Sequence, residues 1–507
     1  MGDVFDGVGD GMSKDCGGGI AARGGVKSAV RLSEVLPTPR FIACRDVLGR
    51  GVSDDVETCG TGDIFVARER RDRDGHDDVA EAIARGVAGV VAERIVPTFG
   101  VPLCLVKDTS DAFARIAHAF HGNPARRMRL IAVTGTSGKT TTAWLVASVL
   151  AEAGIAVGVL SDLGCLDADG LAPMRAAADG RLLDDPRLLA RALGRIADSG
   201  CTHAVVEVSS RMLAARSLAG VVCETVAVTN LATAHLDLHG TRRAYHAIKR
   251  RILDCLHPDG CLVVNGDDHR LVRMAERYEG YGLSATLVGE GDITASPVER
   301  GLRGQTFLLS HRGSLVPVCV PTPVASFARN AVVAAAIGVR YGLPLERVAK
   351  GIEAAGSVSG RIEPLACGQS FAAFLDRPTS RHQLASTLAS LRHLSRGRLV
   401  VMLGEGVAEG LEVNPADELL EKWCDEVLFV GETRRPEASG AATLGRIGRV
   451  LDGLDDDDCL LVLDDAPPFS PNPTDPSGEP MALAFLVEAW MSSHEPTAFP
   501  GGINRAA

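Results

Sequence analysis

The stretch that most constrains the fold is VTGTSGKTTT at residues 133–142. An apolar run, RLIAV, precedes it, and an alanine- and leucine-rich stretch, AWLVASVLAEAG, follows it. Gly135 and Gly138 have no Cβ, so the backbone near them can wrap tightly around an anion with its N–H groups pointing inward. This order of strand, loop and helix predicts a phosphate-binding loop, and the alternative is a plain glycine-rich turn.

The side chains of this loop favour a nucleotide. Lys139 offers a point charge to the β- and γ-phosphates, and the hydroxyl of Thr140 or Thr141 can ligate Mg²⁺. The pattern departs from the standard one at Thr134, where a glycine is usual. The residues that we predict to bind ATP here are Gly135, Thr136, Ser137, Gly138, Lys139, Thr140 and Thr141.

The rest of the chain predicts an α/β protein. With 507 residues we expect roughly two to four domains. Aromatic residues make up only 4% while glycine is abundant, which suits close packing of helices on sheets. Apolar runs that end in Gly, Ser, Thr or Asn alternate with helical stretches, and they predict a mostly parallel, doubly wound sheet with its ligands at the strand ends. The predicted limits are a disordered lead at 1–28, domains at 29–128, 129–357 and 358–495, and a tail at 496–507.

Composition argues against several classes of protein. The net charge of -11 disfavours a nucleic-acid groove. The thirteen cysteines are scattered with no CxxC pair, so we read them as reduced thiols of a cytoplasmic protein. The first residues lack an apolar signal-peptide core, and no apolar run is long enough to cross a membrane. We expect a cytoplasmic monomer without membrane insertion or nucleic-acid partners.

Four later residues add to the phosphate loop. Glu207 ends an apolar strand in VVEVSSR, where a carboxylate needs a cationic partner such as Mg²⁺. His235 follows the next strand, Lys249 lies in YHAIKRRIL, and Asn330 lies in ASFARNAVVAAA. Taken singly, each has a structural explanation: a paired acid, a core histidine, a surface lysine and a local cap.

Taken together and in this order, the motifs resemble the Mur ligases, which are ATP-dependent enzymes that form amide bonds in peptidoglycan synthesis. The branch that adds an amino acid to UDP-N-acetylmuramoyl-dipeptide is the most similar. VTGTSGKTTT resembles its VTGTNGKTTT, EVSSRML its EVSSHAL, and TNLATAHLDLHGT its TNLTRDHLDYHGT. GDIFVA with a following DGH near the N-terminus extends the resemblance, which covers residues from about 50 to about 395.

The resemblance implies three domains: an N-terminal UDP-sugar-binding domain, a central ATPase with the phosphate loop, and a C-terminal Rossmann-like domain that brings the amino acid. It also implies a two-step reaction in which ATP converts a substrate carboxylate to an acyl phosphate, which an amine then attacks. Lys139 and Mg²⁺ would neutralise the phosphoryl group. Thr140 and Glu207 would hold one metal ion, and His235 would hold a second one together with Lys249, carbamylated by CO₂.

Further residue roles follow from the same resemblance. Asn330 would contact adenine, Arg361 the phosphates and Asp376 the ribose. Ser209 and Ser210, in the EVSS motif, would contact the UDP-N-acetylmuramoyl-peptide substrate.

The departures from the family concentrate at substrate positions. The family's DSR near the uridine reads DVE at 55–57, and the histidine of EVSSH is Arg211. DYAHTP aligns with DRPTSR, where Asp376 stays but Arg377 and Thr379 replace the tyrosine and the histidine. The DNPR motif that reads diaminopimelate is replaced by GETRRP, so the sequence does not indicate which amino acid is added, and it argues against diaminopimelate.

Three hypotheses remain open at this point. The first is a Mur-type ligase with altered specificity. The second is a catalytically degenerate paralogue that binds nucleotide and acts as a regulatory or scaffold protein, which the divergent third domain favours. The third is a related ligase such as a folylpolyglutamate or cyanophycin synthetase, which the GDIFVA unit argues against.

Overall fold

A computed structural model gives the fold of most of the chain. The predicted lead, the predicted tail and His235 lie outside the part that it describes. The described residues are 29–42, 44–70, 73–172, 182–232, 240–278, 280–287, 289–431 and 439–464, with short pieces at 483, 487–488 and 491–492.

The first sheet has five short strands in the order β2-β7-β6-β5-β4, parallel except for β2, and β1 and β3 form a separate two-stranded ribbon. The strands are β1 (Val30–Arg31), β2 (Arg40–Ile42), β3 (Leu48–Gly49), β4 (Val52–Ser53), β5 (Ile64–Val66), β6 (Gly89–Ala92) and β7 (Leu103–Leu105). The helices are α1 (Leu32–Val35), α2 (Val79–Ala84) and α3 (Thr109–Phe120), with 3₁₀ turns at Gly75–Asp78 and Pro124–Arg127.

The second sheet is the largest, with eleven strands in the order β11-β10-β9-β12-β8-β13-β14-β15-β16-β17-β18. Its strands are β8 (Arg129–Thr134), β9 (Val157–Ser161), β10 (Gly164–Asp167), β11 (Gly170–Ala172), β12 (His203–Val208), β13 (Cys223–Val228), β14 (Leu256–Asn265), β15 (Tyr281–Thr286), β16 (Ile293–Gly301), β17 (Gly304–His311) and β18 (Ser314–Val320). Its helices are α4 (Lys139–Glu152), α5 (Pro186–Asp198), α6 (Ser210–Ala214), α7 (Arg242–Arg250), α8 (His269–Glu276), α9 (Ala325–Arg340) and α10 (Leu345–Ala355), with 3₁₀ turns at Leu182–Asp184 and Arg251–Cys255.

The centre of this sheet is parallel, as the sequence predicts. Strands β9, β12, β8, β13, β14 and β15 run in one direction, so their carboxyl ends share one edge. Strand β8 lies between β12 and β13, with Glu207 paired to Val133 and Val228 paired to Thr134. The phosphate loop, the end of β12 and the loop after β13 therefore meet at one place.

Side chains along β8 point alternately to the two faces of the sheet, and both faces are covered by helices. Ile131 and Val133 pack into one core together with α4, α9 and α10. Leu130 and Ala132 point the other way, into a second core against helices that include α5 and α6. A strand buried on both faces reads as a continuous apolar run, which is what RLIAV shows.

The third sheet has the order β19-β20-β23-β21-β22 and is parallel except for β19. Its strands are β19 (Arg361–Pro364), β20 (Ala372–Asp376), β21 (Leu399–Gly404), β22 (Glu426–Val430) and β23 (Cys459–Leu463). Its helices are α11 (Arg381–Leu394), α12 (Glu405–Leu411), α13 (Glu418–Trp423) and α14 (Ser439–Asp452). The three sheets fall within 29–128, 129–357 and 358–495, and these limits themselves stay a prediction. Within the described residues, no helix is both long and apolar enough to span a membrane.

Candidate active site

The phosphate loop has the backbone that its glycines predict. Gly135 has φ +155° and Gly138 has φ +78°, and α4 begins at the next residue, Lys139. A Cβ on Gly135 would lie 1.9 Å from Oγ1 of Thr229, and one on Gly138 would lie 2.3 Å from Oδ1 of Asn330. Both positions therefore require glycine for space, and the positive φ of Gly138 requires it for backbone conformation as well.

The loop after β13 holds the phosphate loop in shape. The backbone N–H of Ser137 donates to Oδ1 of Asn230 at 3.1 Å, and Nδ2 of Asn230 donates to the carbonyl of Ser137 at 2.9 Å. The Thr136 N–H donates to the Asn230 carbonyl at 3.1 Å, and its hydroxyl donates to the carbonyl of Ala232 at 3.0 Å. These bonds tie the backbone of the phosphate loop to the loop after β13 at three residues, Thr136, Ser137 and Asn230.

Glu207 and Lys139 face each other beside this loop. Nζ of Lys139 lies 3.8 Å from Oε1 of Glu207, and that buried oxygen accepts no hydrogen bond within the described residues. The other oxygen, Oε2, accepts from the backbone N–H of Asp162 at 3.2 Å. Burial, and next the Asp162 carboxylate, raise the pKa of Glu207 to about 7, while Lys139 and Arg361 oppose the rise. The buried oxygen that accepts no hydrogen bond is an acceptor that a bound cation could satisfy.

Lys249 reaches the same loop from α7. Its Nζ donates to Oγ1 of Thr134 at 3.0 Å and to the carbonyl of Gly135 at 2.9 Å, and the residue is only 3% exposed. Burial, and next the charge of Lys139, lower the pKa of the Lys249 amine well below its usual range, with Glu207 opposing. The alternative of a surface lysine is thus wrong, because the side chain is buried at the loop.

The third domain also reaches the loop, through Arg361. Nη2 of Arg361 donates to Oγ1 of Thr140 at 3.3 Å and lies 4.0 Å from Oδ2 of Asp162. Its Nη1 donates to the carbonyl of Arg377, which fixes the guanidinium. Thr140 and Thr141 are both buried in the first turn of α4. Arg361 therefore lies at the phosphate loop, and its contact with the phosphates stays a prediction.

A cavity of about 390 Å³ opens next to the loop, between the second and third sheets. Asn330, on α9, and Asp376, at the end of β20, both line it, together with Ser137, Gly138, Thr141 and Arg361. Asp376 is fully buried, with its Oδ2 accepting from the Thr387 hydroxyl at 3.1 Å. The predicted adenine and ribose residues thus lie on one cavity that leads to the phosphate loop.

The two predicted substrate serines lie elsewhere. Ser209 caps α6: its Oγ accepts from the backbone N–H of Met212 at 3.0 Å and donates to Oδ1 of Asp184 at 3.2 Å. Ser210 is buried in the first turn of the same helix. Neither serine lines the two cavities at the phosphate loop. Their substrate role remains a prediction, and the structure gives Ser209 a structural role as well.

Sequence reasoning missed three residues at the loop. Asp162 follows β9, and it lines a small pocket together with Lys139, Thr140 and, from the third domain, Thr379 and Gln383. The position of Asp162 at the end of a parallel strand could have indicated it. Thr379 was visible in the sequence only as a replacement for the family's histidine, and Gln383 had no signal, because only the packing of the third domain brings them to the loop.

The buried carboxyl of Asp376 predicts an unusual dependence of stability on pH. Burial raises the pKa of the Asp376 carboxyl to about 6, although the Arg361 guanidinium acts to lower it. In the unfolded chain the pKa of this carboxyl is about 3.8. The ionised form therefore costs folding free energy that grows as the pH rises from about 4 to about 6. We expect Asp376→Asn to raise the free energy of unfolding by about 1–3 kcal/mol at pH 8 and much less at pH 4.5, measured by urea unfolding.

A matched control lies in the same domain. Asp458 is also buried, but its two oxygens accept from the backbone N–H and the guanidinium of Arg398 at 2.6 and 2.8 Å. Although burial opposes it, these bonds hold the pKa of Asp458 below its usual value. Asp458→Asn should therefore destabilise the protein at pH 8. Destabilisation by Asp376→Asn at the same pH would contradict the raised pKa.

Comparisons with known proteins agree with this geometry. The family model described as the Mur ligase middle domain matches residues 133–338. The chain is 30% identical over 422 residues to the UDP-N-acetylmuramoyl-L-alanyl-D-glutamate--2,6-diaminopimelate ligase of Chlorobaculum tepidum, covering 79% of this chain and 81% of the relative. It is 30% identical over 446 residues to the UDP-N-acetylmuramyl-tripeptide synthetase of Roseiflexus sp., covering 82% and 85%.

Solved structures show the same fold. A UDP-N-acetylmuramoyl-L-alanyl-D-glutamate--2,6-diaminopimelate ligase superposes with a TM-score of 0.66 at 20% identity, over 86% of this chain and 93% of that one. The MurF ligase of Thermotoga maritima, solved in complex with ADP, has a TM-score of 0.53 at 17% identity, over 87% and 97%. The predicted α/β fold of several domains is confirmed.

Proposed function

The chain belongs to the Mur ligase family of ATP-dependent ligases, and from this premise we propose the reaction that it catalyses. It joins a carboxylate of a UDP-N-acetylmuramoyl-peptide to the amine of an amino acid, through an acyl phosphate formed from ATP, in the synthesis of a peptidoglycan precursor. The convergence of Lys139, Glu207 and Lys249 on one phosphate loop carries the proposal.

The nucleotide would lie along the cavity between the second and third sheets. Adenine would contact Asn330 and the ribose Asp376, since both residues line this cavity. The phosphates would follow the backbone N–H groups from Gly135 to the start of α4, where the positive end of the helix favours an anion. Arg361 would then contact the phosphates from the third domain.

The residues beside the loop fit a magnesium ion. The Thr140 hydroxyl and the Glu207 carboxylate are hard oxygen donors of the kind that Mg²⁺ prefers, and Oε1 of Glu207 is buried without a hydrogen bond from any described residue. A bound Mg²⁺ supplies positive charge to the phosphoryl oxygens. A second ion, held by His235 and a carbamylated Lys249, is the part of the proposal that the family resemblance alone supports.

The reaction needs positioning and charge neutralisation more than covalent help from the protein. An oxygen of the substrate carboxylate attacks the γ-phosphorus, the bond to ADP breaks, and an acyl phosphate forms. The amine of the amino acid then attacks the acyl carbon, phosphate leaves, and the nitrogen loses a proton. Lys139 and Arg361 would stabilise the negative charge on the transferring group, because both cations border the loop.

Release of phosphate from ATP tests this proposal directly. The purified protein, with ATP and Mg²⁺, is given UDP-N-acetylmuramoyl-dipeptide with and without L-lysine, meso-diaminopimelate, ornithine or glutamate. We expect release that requires both the nucleotide-sugar and one amino acid, with the amide product seen by mass spectrometry.

Each outcome separates the hypotheses. Dependence on one amino acid would identify the substrate and contradict a degenerate paralogue. Binding of ATP without phosphate release in any mixture would contradict the ligase proposal and favour a nucleotide-binding regulatory or scaffold protein.

A further inference from the structure

The first helix of the third domain begins at the phosphate loop. Thr379 and Gln383 line the same small pocket as Lys139 and Thr140. Gln383 also lines the larger cavity, as Ser137 does. It therefore lies where the two cavities meet.

The side chain of Gln383 is held in one orientation. Its Oε1 accepts from the backbone N–H of Thr379 at 3.2 Å and from the Thr379 hydroxyl at 3.3 Å. A carboxamide has an acceptor oxygen and a nitrogen with two donors, so engaging the oxygen leaves the nitrogen available to a ligand. The backbone N–H of Gln383 donates to Oγ of Ser380, the residue that caps α11, at 3.3 Å.

The surroundings select an anion. The positive end of α11, which is fourteen residues long, lies at this pocket, and Lys139 and Arg361 border it. A neutral amide donor in a pocket that two cations and the single carboxylate of Asp162 border fits a phosphate oxygen, which accepts several hydrogen bonds at once. The pocket also includes Thr140, in the first turn of α4, and Asp162, neither of which lines the larger cavity with Asn330, so a terminal phosphate would enter this pocket.

We propose that Gln383 donates a hydrogen bond from Nε2 to the terminal phosphate of bound ATP, and that Thr379 is the positioning residue that orients its amide. This inference rests on the proposed function. It gives the divergent third domain a way to distinguish ATP from ADP, at a place where the family's tyrosine and histidine have become Arg377 and Thr379.

Calorimetric binding of two nucleotides tests the inference without catalysis. The full chain is titrated with the non-hydrolysable β,γ-imido analogue of ATP and with ADP, both with Mg²⁺. We expect Gln383→Ala to weaken the binding of the analogue about 10-fold or more, as for a lost hydrogen bond to a charged group. The affinity for ADP should change less than about 2-fold. Gln383→Glu should weaken the binding of the analogue further, because the carboxylate of the new side chain would face the phosphate.

Two more variants sharpen the test. Thr379→Val should weaken the binding of the analogue several-fold and leave the binding of ADP nearly unchanged, because the Gln383 amide loses the hydroxyl that orients it. Ser390→Ala, further along the same helix, should change neither affinity, because the Ser390 hydroxyl donates to the Ser386 carbonyl of its own helix. If wild type and Gln383→Ala bind the analogue equally well, or if the variant binds both nucleotides equally more weakly, the inference about Gln383 is overturned and the proposed function is not. Wild-type protein that binds neither nucleotide would overturn the proposed function as well.

Discussion

Lys139→Ala is expected to reduce phosphate release from ATP by about 100- to 1000-fold, the range found when a group that stabilises transition-state charge is removed. Lys139 is the first residue of α4, and its ammonium faces the buried Oε1 of Glu207. Without it, the γ-phosphate loses the charge that must balance the transferring oxygens. The fold should persist, because the side chain, although only 14% exposed, faces the phosphate loop and does not belong to either apolar core of the central sheet.

The measurement compares phosphate release and thermal unfolding of wild type and variant under the same conditions. Lys350→Ala is the matched control, since Lys350 is an exposed lysine in the middle of α10, in the same part of the chain. Lys139→Met, which keeps the length of the side chain, should lose activity to the same extent. Wild-type turnover in either Lys139 variant would mean that the loop does not bind the reacting phosphate.

The central sheet could be predicted because its signals are local. Each buried parallel strand reads as an apolar run that ends in a small or polar residue, and glycines mark the loop after β8. Parallel strands bring their carboxyl ends together, so the sequence alone is enough to expect Glu207 and the phosphate loop at one edge of the sheet. Lys249 needed the family resemblance, because nothing in YHAIKRRIL shows that one lysine of the helix is buried.

Features that depend on packing between distant segments could not be predicted. Strands β16, β17 and β18 extend the central sheet through two antiparallel pairs, β16 with β17 and β17 with β18, and no sequence pattern indicated them. Gln383 reaches the loop only because the third sheet packs beside the second, which places residues more than two hundred positions apart in one pocket. Ser209 shows the reverse case, since its motif suggests a substrate contact while its hydroxyl caps a helix.

Lys249→Ala is the second change with a large expected effect, and it should abolish phosphate release. The side chain is buried at the loop, and its depressed pKa leaves a share of neutral amine, the form of lysine that adds CO₂ to become a carbamate. A carbamate is an anion with two oxygens that can ligate a metal ion. Alanine removes both the amine and the place where those oxygens would stand, so added bicarbonate should restore nothing.

Acetate distinguishes a missing ligand from a damaged fold. Alanine leaves space beside Thr134 and Gly135, where a small carboxylate can supply oxygens in place of the carbamate, so we expect acetate to restore part of the activity. Lys249→Met fills that space, and its activity should not respond to acetate. Rescue of the alanine variant alone would show that carboxylate oxygens are what the reaction lacks. Full activity of Lys249→Ala without additives would contradict the carbamate role. If thermal unfolding shows that the variant is not folded, the role of Lys249 is to stabilise the fold instead.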